Sequence, residues 1–563
     1  MVSETTKTTE GSSAAGQSSG SVATGGAHDV VVGSKEVPGG ICPVCNQPAK
    51  KRCSGCSSAY YCSVDHQRQD WKHHKNVCHP FKICSDERYG RYLVATKDIK
   101  AGEVVLKESP LVQGPAQITG PVCVGCLEGL KENQFLECER CGWPVCKREC
   151  QNNPSHLPEC KFTIARGSKM SLQHFYVPHP GYQCVTALRC LLMAQYEPAK
   201  WQALSKLESH DEQRRGTEQW RNDRTFVASF IPRFFKCENK WTEDEILKVV
   251  GILQVNGHEI PLTEPPSVAV YNNASMIEHS CRPNLSKSFT SKKEIVFWAP
   301  SAIKKGERLS ICYTDVLWGT PSRMEHLQQT KLFRCSCARC LDPTEFGTYF
   351  SALKCSGFKK DSDCNGLLLP ENASNWFGSW ICNKCRSLVD VKEISNIMDR
   401  ARVDQKAMQK SNEEHCSKYI AHYSRWLAPN HHFIVDVKLS FSQIIGGGPP
   451  PEAIQKISDE KLMTKIKYCQ DLIGLFEKIC PAEARVIGAT RFELHAALAE
   501  FGRRGVESKN PAVRSAMEDS LFNAKECVRM LSHEPSELPE SKICEQARIN
   551  VDSINVLLGL KEG

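Results

Sequence analysis

Large apolar residues are spread unevenly along the chain. From Met1 to Gly40 there are almost none, only Ser, Thr, Gly and Ala in quantity. Such a composition cannot bury enough surface to offset chain entropy, so this stretch is expected to be a disordered tail. Between Arg88 and Glu103 short β-rich runs alternate with the turn Lys100-Ala101-Gly102, which predicts a small twisted sheet. A similar turn returns at Ile303-Lys304-Lys305-Gly306-Glu307, ahead of the strand-like Leu309-Ser310-Ile311-Cys312-Tyr313. Met170 to Leu253 reads mostly as helix, and beyond Val389 the chain turns helical again. There Leu462, Ile466, Cys469, Leu472, Ile473, Phe476 and Ile479 recur at three and four. That spacing is the stripe of an amphipathic helix packed on one side. The run Gly446-Gly447-Gly448-Pro449-Pro450-Pro451 interrupts the helical pattern and predicts a loop.

Length adds that several domains are expected, because the chain has 563 residues and single cores rarely grow past about 250–300. No run approaches the roughly 18–20 apolar residues that would span a bilayer. Charge changes the picture little. The 72 basic and 64 acidic residues leave +8, without the concentrated basic face of a nucleic-acid binder. Cysteine changes it most. Thirty-one cysteines in a chain that opens without the apolar segment of a secretory signal belong in a reducing compartment, nucleus or cytoplasm. Close pairs of thiols there usually mean metal.

Two stretches carry that chemistry. The first runs Cys42, Cys45, Cys53, Cys56, Cys62, His66, His74 and Cys78. Two Cys-x-x-Cys knuckles precede a helical tail in which Cys62 with His66, and His74 with Cys78, are four apart and share a face. An interleaved pairing gives Cys42, Cys45, Cys62 and His66 one ion, and Cys53, Cys56, His74 and Cys78 another. A segment this short has too little core to fold without its metal. The second runs Cys123, Cys126, Cys138, Cys141, Cys146, Cys150, His156 and Cys160. Remaining cysteines such as Cys184, Cys190 and Cys469 fall in helical patterns and read as small buried residues.

Tyr61-Cys62-Ser63, Gln67, Asp70-Trp71-Lys72 and His74-Lys75 resemble a MYND zinc finger, a module that takes short proline-containing motifs. The second stretch is a more divergent copy of it. Arg88 to Glu103, the segment Glu278-His279-Ser280-Cys281-Arg282-Pro283-Asn284 and the strand ending at Tyr313 resemble a SET domain. The finger inserted in the SET region, with a Cys-rich segment behind it, is similar to the SET-and-MYND (SMYD-type) family, and the additional leading finger to its arthropod branch. The resemblance implies an α+β fold: SET-type small sheets split by an inserted MYND-like finger, an N-terminal MYND finger, a post-SET zinc site and a C-terminal helical bundle. The expected divisions are a tail (1–40), a MYND finger (41–79), the SET N-terminal part (80–120), the second finger (121–160) and a helical insert (161–255). They continue with the SET C-terminal part (256–318), the post-SET segment (319–345), a further zinc site (346–388) and a helical domain (389–563).

The resemblance also implies residues. Cys335, Cys337 and Cys340 would complete a zinc site with Cys281, and Cys355, Cys364, Cys382 and Cys385 offer one more, giving about six zinc ions per chain. S-adenosyl-L-methionine would be the methyl donor of a protein-lysine methyltransferase. Gly90 would let the backbone approach it, Asn256 and Glu278 would hold its amino-acid end, His279 would pair with its base, and Phe333 would line the adenine side. Tyr313 would align the acceptor amine as the catalytic residue, and Tyr271 would pack beneath the His-Ser-Cys segment. Glu278 stands where the family has asparagine, Lys331 where it has a second tyrosine, and Tyr92 where it often has glycine. Those departures motivate a rival reading: a catalytically silent adaptor that recruits proline-containing partners, for example in transcriptional repression.

Overall fold

The computed structural model describes residues 40–56, 59–75, 78–358, 363–447, 451–507 and 512–560. The expected tail before Gly40, and the centre of the Gly446–Pro451 loop, lie outside the described residues. The first Cys/His stretch forms two short ladders followed by α1 (Val64–His74), whose first turn is capped by the Ser63 side chain accepting from the His66 N–H. Next come the hairpin β1 (Phe81–Asp86) and β2 (Gly90–Ala95), then β3 (Val104–Glu108) and β4 (Val112–Pro115). Gly90 closes the hairpin turn with φ +65, a conformation that costs glycine least.

The second Cys/His stretch ends in α2 (Leu157–Ala165). The helical insert follows, with α3 (Pro180–Tyr196) and α4 (Glu243–Asn256) as its longest members. The expected helix from Met170 begins only at Pro180. Met170 donates its N–H to Cys141 O, and Met170 and Leu172 are buried, so contact with the second finger holds this segment out of helix. Pro180 then starts α3 at a position where its missing N–H costs nothing.

The remaining SET strands are β5 (His258–Ile260), β6 (Ser267–Val270), β7 (Glu278–His279), β8 (Ser286–Phe289), β9 (Ile295–Trp298) and β10 (Ser310–Ile311). β4 pairs with β6, Val112 opposite Val270, and β3 pairs with β9, Leu106 opposite Phe297. Strands from both sides of the second finger and insert therefore close one core, around Leu93, Leu106, Tyr271, Phe289 and Phe297. Each such buried side chain contributes about 1.5–3 kcal/mol. β7 and β10 run parallel, Glu278 opposite Ser310 and His279 opposite Ile311. That pair carries the site described below.

Behind the core lie α5 (Thr320–Thr330) and a four-stranded sheet of β11 (Leu353–Lys354), β12 (Leu367–Pro370), β13 (Trp380–Cys382) and β14 (Leu388–Val389). The C-terminal helices are α6 (Val391–Ala407), α7 (Glu413–Tyr423), α8 (His432–Ile444), α9 (Asp459–Ile479), α10 (Ala484–Glu507), α11 (Val513–Leu531) and α12 (Pro539–Leu557). The stripe from Leu462 to Ile479 is the buried face of α9. Its Phe476 and Ile479 pack in one cluster with Trp298 of β9, which seats the bundle on the SET sheet. Arg529 donates to Pro300 O at 2.7 Å and Ser288 Oγ to His533 O at 2.8 Å across the same contact. His431 and His432 are buried at the start of α8 with rings 4.3 Å apart. Burial first, then Arg323, pushes the His432 ring down to about 3, so it is neutral packing.

Candidate functional site

The side chains of the two Cys/His stretches gather into tight groups. Cys42, Cys45, Cys62 and His66 present ligand atoms within 4.8 Å of one another, as do Cys53, Cys56, His74 and Cys78. α1 supplies both histidines. Cys62 Sγ lies 3.0 Å from His66 Nδ1, and Cys56 Sγ 3.5 Å from His74 Nε2. The second stretch sorts into Cys123, Cys126, Cys146 and Cys150, and Cys138, Cys141, His156 and Cys160. Cys281, three residues past the start of β7, meets Cys335, Cys337 and Cys340 across more than fifty residues of chain. Cys355 faces Cys385 at 3.6 Å and Cys364 faces Cys382 at 3.7 Å.

The spacings say what these groups are for. Sulfur pairs stand at 3.4–3.9 Å, against about 2.05 Å for a disulfide. A tetrahedron of thiolates around zinc, at Zn–S of about 2.3 Å, has edges near 3.8 Å. The donor set and its geometry fit zinc, and the chain binds zinc. In the second finger the fit reaches one layer further. His156 turns Nε2 toward Cys141 Sγ at 3.4 Å and Nδ1 toward Glu159 Oε1 at 3.2 Å. Arg189 of α3 binds that same oxygen and donates to Gln113 O at 2.8 Å and Val124 O at 2.7 Å. A carboxylate behind the histidine fixes its tautomer, and the arginine ties the finger to β4 and the insert.

Around the parallel strands the second site takes shape. Both ring nitrogens of His279 are engaged: Nδ1 accepts from the Tyr313 N–H at 3.0 Å, and Nε2 lies 3.2 Å from Cys281 Sγ. The acceptor role of Nδ1 leaves the proton on Nε2, aimed at the thiol. Its ring lies between Tyr313 and Phe333, 5.2 and 5.7 Å away. Tyr313 donates its hydroxyl to Ile277 O. Burial, then Glu278, raises its pKa, so the phenol stays protonated. Asn256 ends α4 with Nδ2 committed to Glu208 O at 2.7 Å and Ile252 O at 2.8 Å, so its Oδ1 is left to accept.

Glu278 gives one oxygen to Arg308 Nε at 3.2 Å, while Oε2 is buried with no hydrogen-bond partner among the described residues. Burial raises its pKa, with Arg308 opposing. Arg308 also lies over the Tyr89 ring at 4.1 Å and 6.0 Å from that of Tyr92, so Tyr92 packs on the pair that holds Glu278. At Gly90 no atom of the described residues lies within 4 Å of where a Cβ would stand, which leaves the backbone open to an approaching group. Tyr271 is fully buried, its hydroxyl donating to Lys293 O at 2.7 Å. Asn256, His258, Ser275, Cys312, Tyr313 and Lys331 line a cavity of about 220 Å³. Cys312 was missed by sequence reasoning that placed the other cysteines in helices. It sits in a strand-end position beside Cys281, and the sulfurs of Cys312 first, then Cys335, Cys337 and Cys340, hold the Cys281 thiol well below its ordinary pKa.

The MYND finger model matches residues 42–78 and the SET domain model residues 90–314, a span that contains the second Cys/His stretch. SET domain-containing protein SmydA-8, isoform A, of Drosophila melanogaster is 30% identical over 328 residues, 57% of this chain and 68% of its own. The chain belongs to the SET-and-MYND family. Other family relatives carry catalytic names. Histone-lysine N-methyltransferase ASHR1 of Arabidopsis thaliana is 25% identical over 71% of this chain and 82% of its own. Histone-lysine N-methyltransferase SMYD3 of Homo sapiens is 26% identical over 45% of this chain and 59% of its own.

Proposed function

We propose that this chain is an S-adenosyl-L-methionine-dependent protein-lysine N-methyltransferase whose zinc fingers make protein–protein contacts. The observation that carries the reading is Tyr313, held by its own hydroxyl inside a cavity that Asn256 also lines. With its proton given to Ile277 O, the phenol oxygen accepts, which is what aligning an amine N–H requires. The donor supplies a methyl group on a positive sulfur. Gly90, Asn256, Glu278, the His279 main chain and Phe333 would hold it, with Asn256 Oδ1 and the unpartnered Glu278 oxygen receiving its ammonium. The names of the plant and human relatives support a protein lysine, histone lysines included, as substrate, and nucleus or cytoplasm as the place of action.

Calorimetry with S-adenosylmethionine tests the reading. Binding should be measurable, and Glu278→Asn should change it by a modest factor, because a hydrogen bond to a charged group is worth roughly 1.5–3 kcal/mol and a second acceptor remains. No binding by either form would favour the second reading, a silent adaptor for proline-containing partners. What favours that reading is the Arg308 already paired with Glu278.

Metal content is a separate expectation. Two ions in each finger, one with Cys281 and one with Cys355, Cys364, Cys382 and Cys385 make about six per chain. Elemental analysis of chain purified without chelator should approach that value, and a result near two would remove the claim that both fingers are loaded. Cys281→Ser should release one ion and loosen the segment around Cys335–Cys340.

A further inference from the structure

Lys331 replaces the second tyrosine that the family resemblance leads one to expect, and it lines the cavity that Tyr313 lines. Its Nζ donates to Gln254 O at 3.0 Å and Val255 O at 2.8 Å, carbonyls in the last turn of α4. It also lies 5.8 Å from the centroid of the Tyr313 ring and lines the same cavity. Helix capping alone would account for the two bonds, since a cation is favourable at a helix C-terminus. It does not account for a side chain drawn into the cavity over Tyr313.

The two bonds have a consequence for reactivity. A neutral primary amine has two hydrogens and one lone pair; with both hydrogens given to carbonyls, the lone pair is directed elsewhere. Burial, then Lys287, lowers the Lys331 pKa to about 8, against about 10.4 for an ordinary lysine. At neutral pH about a tenth of the chains then carry the free amine without help from a base. Lys287, His258 and Glu259 also face the cavity, and among them Lys287 adds to the pressure against the charged form.

We propose that Lys331 is an internal acceptor, a lysine of this chain methylated by the chain itself in the cavity that an external lysine would otherwise enter. The proposal rests on the methyl-transfer reading above. The Lys331 amine first loses a proton to water. Its lone pair then forms the N–C bond as the methyl carbon's bond to sulfur breaks. The electron pair stays on sulfur, so a sulfonium donor becomes a thioether and Lys331 a methylammonium.

The full chain, with its zinc, is incubated with S-adenosylmethionine carrying a labelled methyl group, then digested and mapped by mass spectrometry. Label should appear at Lys331 with a rate constant unchanged on diluting the chain, as expected for reaction within one molecule. Lys331→Arg should lose it. A binding measurement stands beside this one. Removing a cation from beside the sulfonium in Lys331→Met should improve affinity for S-adenosylmethionine over S-adenosylhomocysteine by about threefold or more relative to the natural chain. Zinc content reports whether each variant is folded. Donor binding with Lys331 unlabelled would overturn the proposal and leave the methyl-transfer reading standing, whereas absence of donor binding in natural chain and variants alike would overturn both.

Discussion

Replacing Arg339 with methionine should cost the post-SET region about 3–5 kcal/mol, the scale for removing one partner of a fully buried ion pair. Arg339, Arg323 and Glu345 have no exposed side-chain surface. Arg339 Nε donates to Glu345 Oε2 at 2.8 Å, and its Nη1 to Cys281 O at 3.1 Å and Val316 O at 2.9 Å. Arg323 reaches the same Glu345 oxygen at 3.3 Å and Cys340 Sγ at 4.0 Å. Both guanidiniums therefore face the carboxylate, and Arg323 also faces the Cys281, Cys335, Cys337 and Cys340 cluster, whose Cys281 carbonyl Arg339 holds. Four thiolates around one Zn²⁺ leave a charge of −2, so Arg323 offsets the metal centre as well as Glu345, and Arg339 frees it to do so by pairing with Glu345. Methionine fills similar space but leaves Glu345 and the thiolates to share Arg323.

The measurement is the urea midpoint of the transition that releases zinc from this cluster, followed with a chelating dye. Arg339→Met combined with Glu345→Met should lose less than Arg339→Met alone, because an apolar pair in place of a buried ion pair is often tolerated. Acid should act in the same direction. Burial would raise the Glu345 carboxyl, but Arg339 and then Arg323 outweigh it and hold it below its ordinary value. A depressed carboxyl contributes stability above its unfolded pKa and loses it as pH falls through the folded one. A single-variant loss under about 1 kcal/mol would mean that water reaches these charges, contrary to their burial.

That network could not be read from the sequence, and the reason separates what spacing encodes from what it does not. Cys-x-x-Cys knuckles and residues four apart on a helix are local, so the grouping of Cys42, Cys45, Cys62 and His66 follows from geometry within one segment. The Leu462–Ile479 stripe is local too, and it appears as the buried face of α9. Arg339 with Glu345, or Glu159 with Arg189, are charged residues that spacing assigns to the surface, since buried charges are rare. Only a tertiary fold brings Arg189 to Glu159, thirty residues away, or Lys331 to the end of α4, seventy-six away. Met170–His179 shows the same limit from the other side, as its helical pattern gives way to a contact with Cys141. His279 shows it at the site itself. Its motif singles it out, yet its ring is spent on Tyr313 and Cys281, a placement that a motif does not specify.

Tyr313→Phe should lower methyl transfer by about 10²-fold or more while leaving zinc content and donor affinity near their natural values. The scale is that of one positioned hydrogen-bonding group removed from a site where charge moves. The ring stays, so the contact with His279, 5.2 Å between centroids, and the burial of the strand end persist. What goes is the hydroxyl, and with it the hydrogen bond to Ile277 O. A neutral hydrogen bond of that kind is worth about 1 kcal/mol of stability, too little to unfold the SET core. The effect should therefore fall on turnover. In the natural chain the phenol gives its proton to Ile277 O and keeps its lone pairs for the amine, and its raised pKa removes any role as a base. Phenylalanine offers the amine nothing to accept its N–H, so the lone pair is no longer held in line with the methyl carbon, and orientation is what such a site supplies. The rate should consequently drop without a change in its pH dependence, because no titrating group has been removed. Transfer of labelled methyl to a peptide library, together with label at Lys331, reads both acceptors in one assay; the peptide signal should fall, while label at Lys331, whose two amine hydrogens go to Gln254 O and Val255 O, should fall less. Equal peptide signals from natural chain and Tyr313→Phe would take Tyr313 out of the mechanism, and an equal drop at Lys331 would mean that its amine is aligned by Tyr313 rather than by the carbonyls of Gln254 and Val255.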